Sequence, residues 1–353
     1  MVATIKDVDF KGQNVLVRVD YNVPMQDGKI TDDLRIVASL PTIKYLRENG
    51  ARRIILMSHL GRPEGRCVPE MSLRPVAKHL QELLPDTKVE FIDEVSGPEV
   101  EAAVENLPDG GILVLENLRF FPGEEGNSSE FAREIAESTH ANLFVQDGFA
   151  VIHRAHASTS AIAADLPSVA GLLLEKELNA LGKIAKNPEH PFLVVIGGAK
   201  VEDKQPLIDK FLNVADAIFV GGKIAADGYV STDPKIIVAS DFSDDAKFDI
   251  GEASTAKVLE LASRAKTVLW NGALGKAEDE EYATASKALA EFLGQHPEIT
   301  SVICGDDTTG FVENLQKSEP DLKYTLVSTG GGAALELLTG ETLPGLVALE
   351  DFS

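Results

Sequence analysis

Short, almost uninterrupted runs of Val, Ile and Leu alternate along the chain with stretches whose apolar residues recur every three or four positions. The runs predict strands over Asn14–Val19, Arg53–Met57, Val89–Ile92, Gly111–Leu115 and Leu143–Gln146. A second series follows over Phe192–Ile196, Ala217–Val220, Ile236–Ala239, Thr267–Trp270, Ser301–Cys304 and Thr325–Val327. Strands that are apolar on both faces belong in parallel sheets covered by helices. The intervening stretches are amphipathic; in Ser72–Leu84, Leu73, Val76, Leu80 and Leu83 share one face behind Ser72 as N-cap. This alternation predicts an α/β fold, and two series predict two doubly wound, Rossmann-like parallel-sheet domains. After Pro167 comes GLLLEKELNALGKIAKN, helical in its spacing, before Asn187-Pro188-Glu189-His190-Pro191 breaks the chain. The expected division is therefore residues 1–170, an interdomain helix over 171–187, and residues 188–353.

Length and charge sharpen this picture. The chain has 353 residues, more than one ordinary core holds, and a net charge of −23. Such an acidic surface repels nucleic acid and anionic membranes, so neither is expected as a partner. The N-terminal segment has no apolar leader and no apolar run approaches a membrane span, which predicts a cytoplasmic protein. Cys67 and Cys304 stand far apart and read as reduced thiols.

Ligands in open parallel sheets bind beyond the carboxyl ends of the strands. Those positions in the first half hold Asp20 and Asn22, with Arg35 soon after, then His59 and Arg62, Arg119, and His153 to His156 with Arg154. Guanidinium forks suit phosphate and carboxylate oxygens. Four arginines gathered in so acidic a chain predict a site for a small dianion. His153 and His156 lack the further ligands a metal site needs.

In the second half, Gly197-Gly198-Ala199-Lys200 follows a buried strand, with Lys204 four residues on; the spacing places both ammoniums on one face of the next helix. Glycine turns recur at Gly221-Gly222 and at Ser328-Thr329-Gly330-Gly331-Gly332. Such turns let the backbone approach a phosphate and aim helix N–H groups at it. Gly305-Asp306-Asp307-Thr308 offers carboxylate and hydroxyl to Mg²⁺ on a polyphosphate. A small-anion domain, a Mg-nucleotide domain and a joining helix predict a phosphotransferase with a hinged cleft. No GxGxxG follows the first strand, which argues against a nicotinamide-linked oxidoreductase.

The residues resemble the phosphoglycerate kinase family. VLVRVDYNVP, MSHLGRP, LENLRFFPGEE, HRAHAST, GGAKVEDK, LWNG and STGGGAALELL stand in that family's order over nearly the whole chain. The resemblance implies reversible phosphoryl transfer between 1,3-bisphosphoglycerate and ADP, giving 3-phosphoglycerate and ATP with Mg²⁺, by a monomer of glycolysis. It also implies that Asp20, Asn22, Arg35, His59, Arg62, Arg119 and Arg154 hold the glycerate, while Arg35, Lys200 and Lys204 steady the transferring phosphoryl. Gly198, Ala199, Lys200, Lys204, Gly222, Asn271, Glu278, Gly305, Asp307, Thr308 and Gly330, Gly331 and Gly332 fall to the nucleotide, with Asp307 carrying Mg²⁺.

The chain departs from the family pattern at several places. Between Gly222 and Ile236 only KIAADGYVSTDP remains, a loss of roughly forty residues by the size of strand–helix units. The family's GGDT turn carries Asp306 as its second residue, placing a carboxylate near the phosphoryl group in a backbone that suits Asp only if φ is negative. Ala273 replaces a turn proline, Lys276-Ala277 replaces Val-Phe, and Lys223 is new. Two readings follow: a compact kinase in which Lys223 or Lys276 offsets Asp306, or a weakened relative that binds 3-phosphoglycerate or a protein partner.

Overall fold

The computed structural model describes residues 2–350. They fall into two compact units, one formed by residues 2–176 with 342–350, the other by Glu177–Glu341. No helix among the described residues is long and apolar enough to cross a membrane.

The strands of the first unit are β1 (Asn14–Arg18), β2 (Met25–Gln26), β3 (Lys29–Ile30), β4 (Arg53–Met57), β5 (Val89–Phe91), β6 (Gly111–Val114), β7 (Leu143–Gln146) and β8 (Ser168–Ala170). Six of them form a parallel sheet in the order β5-β6-β4-β1-β7-β8. β1 lies between β4 and β7, with Val15 opposite both Ile54 and Leu143. Every residue of β1, β4, β6 and β7 is buried, which is why these strands show no polar alternation. Ile36, Ile43 and Leu46 of α1 (Leu34–Glu48) and Val76 and Leu80 of α2 (Arg74–Leu83) close one core against Val15, Val17, Ile54 and Leu56. α3 (Pro98–Asn106), α4 (Pro122–Glu125) and α5 (Ser129–Ser138) complete the unit's helices before β8.

Three local expectations change here. Ser72 is not the N-cap of α2: Leu73 occupies that place, and the Ser72 hydroxyl donates to Glu116 at 2.7 Å while accepting the Arg74 N–H. The short β2–β3 hairpin turns on Asp27-Gly28, both at positive φ, an Asp-Gly signal that periodicity alone passes over. β8 lies at the end of the span expected for the first domain and is not among the expected strands; at three residues it is too short to stand out from the helix that follows.

α6 (Leu172–Lys186) runs through the boundary between the units, which falls after Lys176. The second unit has β9 (Phe192–Ile196), β10 (Ala217–Val220), β11 (Ile236–Val238), β12 (Thr267–Asn271), β13 (Thr300–Cys304) and β14 (Leu326–Val327), all parallel in the order β11-β10-β9-β12-β13-β14. Its helices are α7 (Val201–Leu212), α8 (Gly222–Ala226), α9 (Glu252–Arg264), α10 (Thr284–Gln295), α11 (Asp306–Ser318) and α12 (Gly331–Thr339). Where the sequence is short, β10 connects to β11 through the five residues of α8 and a loop, yet Ile218 still pairs with Ile236. The contraction therefore keeps the edge strand.

The last helix, α13 (Pro344–Glu350), corrects the expected division. Residues 342–350 return to the first unit, where the Gly345 N–H donates to the Ile152 carbonyl at 2.9 Å and Leu343 and Leu349 are buried. A short apolar tail buries its leucines wherever a matching surface lies, which linear order does not reveal.

Candidate active site

In the first unit the loops beyond β4 and β6 are tied together by Asn117. Its side-chain oxygen accepts the N–H of Leu60 and of Arg119 (3.2 and 3.0 Å), and its amide donates to the carbonyls of Leu60 and Met71 (2.7 and 2.8 Å). Gly61 is thereby presented to two neighbours: its N–H donates to Asn22 Oδ1 at 2.9 Å, and its carbonyl accepts from Arg119 at 2.8 Å. Asp20 pairs with Arg35 and stands 3.9 Å from His59 Nδ1. Arg154, half-buried, donates to His153 Nε2 at 3.2 Å.

Sequence reasoning missed the residue at the centre of this cluster. Arg18 is fully buried; its guanidinium donates to Ser158 Oγ at 2.7 Å, to His59 Nδ1 at 3.2 Å and to the Val19 carbonyl. Glu124 lies 3.9 Å away and binds the Ser158 hydroxyl and N–H (2.6 and 3.0 Å). The signal was present: an arginine inside the buried run VLVRV needs partners or a ligand.

The electrostatics follow. Burial, then the charges of Arg18, Arg119 and Arg35, push the His59 pKa well below its ordinary value. A guanidinium can only donate, so His59 accepts at Nδ1 and carries its proton on Nε2. Burial, then Arg119, Arg18 and Arg154, lower His156 to about 4, and burial followed by Arg154 lowers His153. The histidines are thus neutral among four guanidiniums, a cluster rich in donors and positive charge. Arg62 follows Gly61 on the exposed rim and makes no hydrogen bond or ion pair among the described residues.

The second unit builds its site from backbone. Gly197 and Gly272 press against one another, and a Cβ on either would collide with the opposite main chain. The N–H of Gly197 donates to Asn271 and that of Gly198 to Ala273, at 3.0 and 2.8 Å. Beside these turns lies a cavity of about 630 Å³ lined by Gly198, Ala199, Lys200, Lys204, Glu278, Gly305, Asp307 and Thr308, among others. That volume suits a small-molecule ligand. Lys204 donates to Asn271, whose amide contacts Cys304 Sγ at 3.0 Å, so two buried residues aim one ammonium. Thr308 Oγ1 is buried without a partner at the first turn of α11.

Several expectations shift. Lys200 is extended and caps α7 rather than joining its helical face, although it reaches the same cavity as Lys204. Asn271, Gly222, Gly330, Gly331 and Gly332 do not line the cavity; Asn271 acts through Lys204, and Gly331 lies under the Asp306 carboxylate. The turn bearing Gly330 is held by buried Glu177, which accepts the Thr329 N–H and hydroxyl at 2.7 and 3.0 Å. Asp306 opens α11 with helical backbone, while Gly305 takes the positive φ of 99°, so the substitution strains nothing. Lys223 and Lys276 line the cavity but pair with Asp227 (2.7 Å) and with Asp279, respectively.

The phosphoglycerate kinase family model matches residues 5–236 and 227–341. The chain belongs to the phosphoglycerate kinase family. As a family member it is a kinase, a phosphotransferase of glycolysis. It is 41% identical to the phosphoglycerate kinase of Borrelia hermsii (strain HS1 / DAH) and 40% identical to that of Roseiflexus sp. (strain RS-1), each over 99% of both chains. The structure of phosphoglycerate kinase from Coxiella burnetii is similar at a TM-score of 0.80 and 32% identity, over 99% of each chain. That of Pyrococcus horikoshii OT3 gives 0.86 and 28%, over 99% of this chain and 98% of the other. Both alignments to the curated relatives span 397 positions against 353 residues here, a difference of 44. The two stretches matched by the family model meet over 227–236, the contracted link between α8 and β11. With relatives of this identity named as kinases, the reading as an inactive binding protein is not favoured.

Proposed function

We propose that the arginine cluster of the first unit holds 3-phosphoglycerate and that the lysine-lined cavity of the second holds the Mg-nucleotide. Toward 1,3-bisphosphoglycerate, a carboxylate oxygen of 3-phosphoglycerate attacks the γ-phosphorus of ATP. The bond from that phosphorus to the bridging oxygen breaks, and ADP leaves with the electron pair. The reverse step forms ATP. Such transfers depend on position and positive charge more than on covalent help from the protein.

Asp20 and Asn22 orient the pocket, with Asn22 fixing Gly61. His59, Arg62, Arg119 and Arg154 bind the glycerate. Arg35, Lys200 and Lys204 steady the transferring group, with Asn271 aiming Lys204. Backbone at Gly198, Ala199 and Gly305 faces the phosphates, Thr308 donates its hydroxyl there, and Glu278 takes the ribose side, while Gly222 and Gly330 to Gly332 stand outside the cavity wall. Among the described residues, no cluster of three or more His, Cys, Asp or Glu could cage a metal ion. Mg²⁺ on a nucleotide needs only one or two carboxylates beside phosphate and water oxygens. Asp307, exposed on the cavity wall next to the unpartnered Thr308 hydroxyl, fits that mode. When bound, the ion neutralises charge on the phosphate oxygens. The reading places the enzyme in the cytoplasm as a monomer, its net charge of −23 keeping polyanions away.

The observation that carries this proposal is the gathering of four guanidiniums, Arg18, Arg35, Arg119 and Arg154, among neutral histidines, with only Asp20, Glu124 and Glu125 as carboxylate partners, a surplus of positive charge that suits an anion. A coupled assay with ATP, Mg²⁺ and 3-phosphoglycerate tests it. Turnover above about 1 s⁻¹ is expected. Turnover that survives both Arg119→Ala and Lys204→Ala undiminished would remove the assignment.

A further inference from the structure

Two buried residues behind the arginine cluster, Glu124 and Ser158, have no role in the assignments above. With Arg18 they are closed off from solvent, so they act on a ligand only through a neighbour. Their protons fit together in one way. A guanidinium has donors and no acceptor, so the Ser158 hydroxyl accepts from Arg18 Nε at 2.7 Å. Its single proton then goes to Glu124 Oε1 at 2.6 Å. The Ser158 N–H takes the other carboxylate oxygen at 3.0 Å, and the Ala157 N–H donates to the Glu124 carbonyl at 2.9 Å, so α4 grips the loop that carries Ser158. Arg18 Nη1 donates to the Val19 carbonyl, which leaves Nη2 for His59 Nδ1 at 3.2 Å. A planar fork fixed at three nitrogens is held in one orientation.

Building on the reading of this cluster as the 3-phosphoglycerate site, we infer that Ser158, its hydroxyl aimed by Glu124, is a positioning residue: through Arg18 it holds His59 in the tautomer that donates from Nε2 to the anion. His59 is pulled two ways. Asp20 Oδ1 stands 3.9 Å from Nδ1 and favours a proton there, whereas Arg18 on the same nitrogen forbids one. Among the described residues nothing accepts a hydrogen bond from Nε2, so that donor is free for a ligand. Without the Ser158 hydroxyl, Arg18 loses its partner at Nε, and the nearest carboxylate is Glu124 itself, 3.9 Å from Nη2. The guanidinium then turns to Glu124, Nδ1 is released to Asp20, and the ring shows the anion a lone pair in place of a proton. The relay serves binding of the glycerate and not the transfer step, so its loss raises KM for 3-phosphoglycerate and leaves kcat and the Mg-nucleotide alone.

The test is nitrogen NMR of the histidine rings, which reads the tautomer directly, with titration of 3-phosphoglycerate and of Mg-ADP into the wild type, Ser158→Ala and Ser158→Thr. The wild type is expected to show His59 with its proton on Nε2 alone. Ser158→Ala should move proton density to Nδ1, weaken 3-phosphoglycerate by about 10- to 150-fold, the worth of one hydrogen bond to a charged group, and hold Mg-ADP within about twofold. Ser158→Thr, which keeps the hydroxyl, should restore both the tautomer and the affinity. A wild-type His59 protonated on Nδ1 overturns the inference, with no variant needed. So does a Ser158→Ala protein whose tautomer is unchanged, whether its 3-phosphoglycerate affinity holds or falls. A wild type with the expected tautomer that binds no 3-phosphoglycerate overturns the substrate reading and the ligand named here with it, while the hydrogen-bond relay stands.

Discussion

The two proposed anion sites solve one problem by different means. The first unit buries whole charges: Arg18 and Arg119 are almost without solvent, and His59 and His156 are kept neutral beside them. The second unit uses glycine turns, helix starts and lysines that stay partly in water. A buried guanidinium binds an anion strongly because little water competes, but the empty site then strains the fold. A glycine-built site costs less stability and tolerates change, which fits the concentration of sequence departures in the second unit.

The sharpest way to break this comparison is Arg35→Ala. Loss of a donor at the transferring group should lower kcat by about 10²- to 10³-fold while Mg-nucleotide affinity holds; equal loss of both would place Arg35 elsewhere. Next comes Asp306→Gly. Because Asp306 strains no backbone, its effect is the charge alone, and removing one partly screened like charge should raise kcat by about tenfold. No change would mean that the carboxylate points away from the reacting phosphate during turnover.

Thr308→Val is a smaller test. Its hydroxyl has no partner in the free protein, so stability should hold, while nucleotide affinity falls by about 5- to 15-fold, the worth of one hydrogen bond. Matching loss of stability and affinity would make Thr308 structural.

The smallest effects are in pH and temperature. His59 and His156 bind protons more weakly folded than unfolded, so the stability they contribute is full above about pH 6.5 and is lost as pH falls toward 4. Asp147 has the opposite sign. Burial raises its pKa to about 7 although it accepts the N–H groups of Leu173 and Leu174, so its contribution declines as pH rises from about 4 to 7. Asp147→Asn should therefore raise Tm by about 2–4 °C at pH 7.5 and leave it nearly unchanged at pH 4. A gain at both would remove ionisation as the cause.

The sheets were legible because buried parallel strands must be apolar at every residue, and Asn14–Arg18 or Phe192–Ile196 can be little else. Many residues that the structure gathers at the strand ends, such as Asp20, Arg35, His59 and Arg119, were legible too, since chain positions just beyond parallel strands lie side by side. Arg18 was not, because a lone polar letter in an apolar run reads as a flaw in the strand until Ser158 and Glu124 appear beside it. Lys200 was placed on the helix because spacing cannot show where α7 begins.

The division of substrates is the claim everything else depends on, and crosswise titration tests it most directly. 3-Phosphoglycerate and Mg-ADP are each titrated into Arg119→Ala and Lys204→Ala. The account predicts that Arg119→Ala loses 3-phosphoglycerate and keeps Mg-ADP, while Lys204→Ala does the reverse. Loss of Mg-ADP in Arg119→Ala with 3-phosphoglycerate binding intact would contradict it.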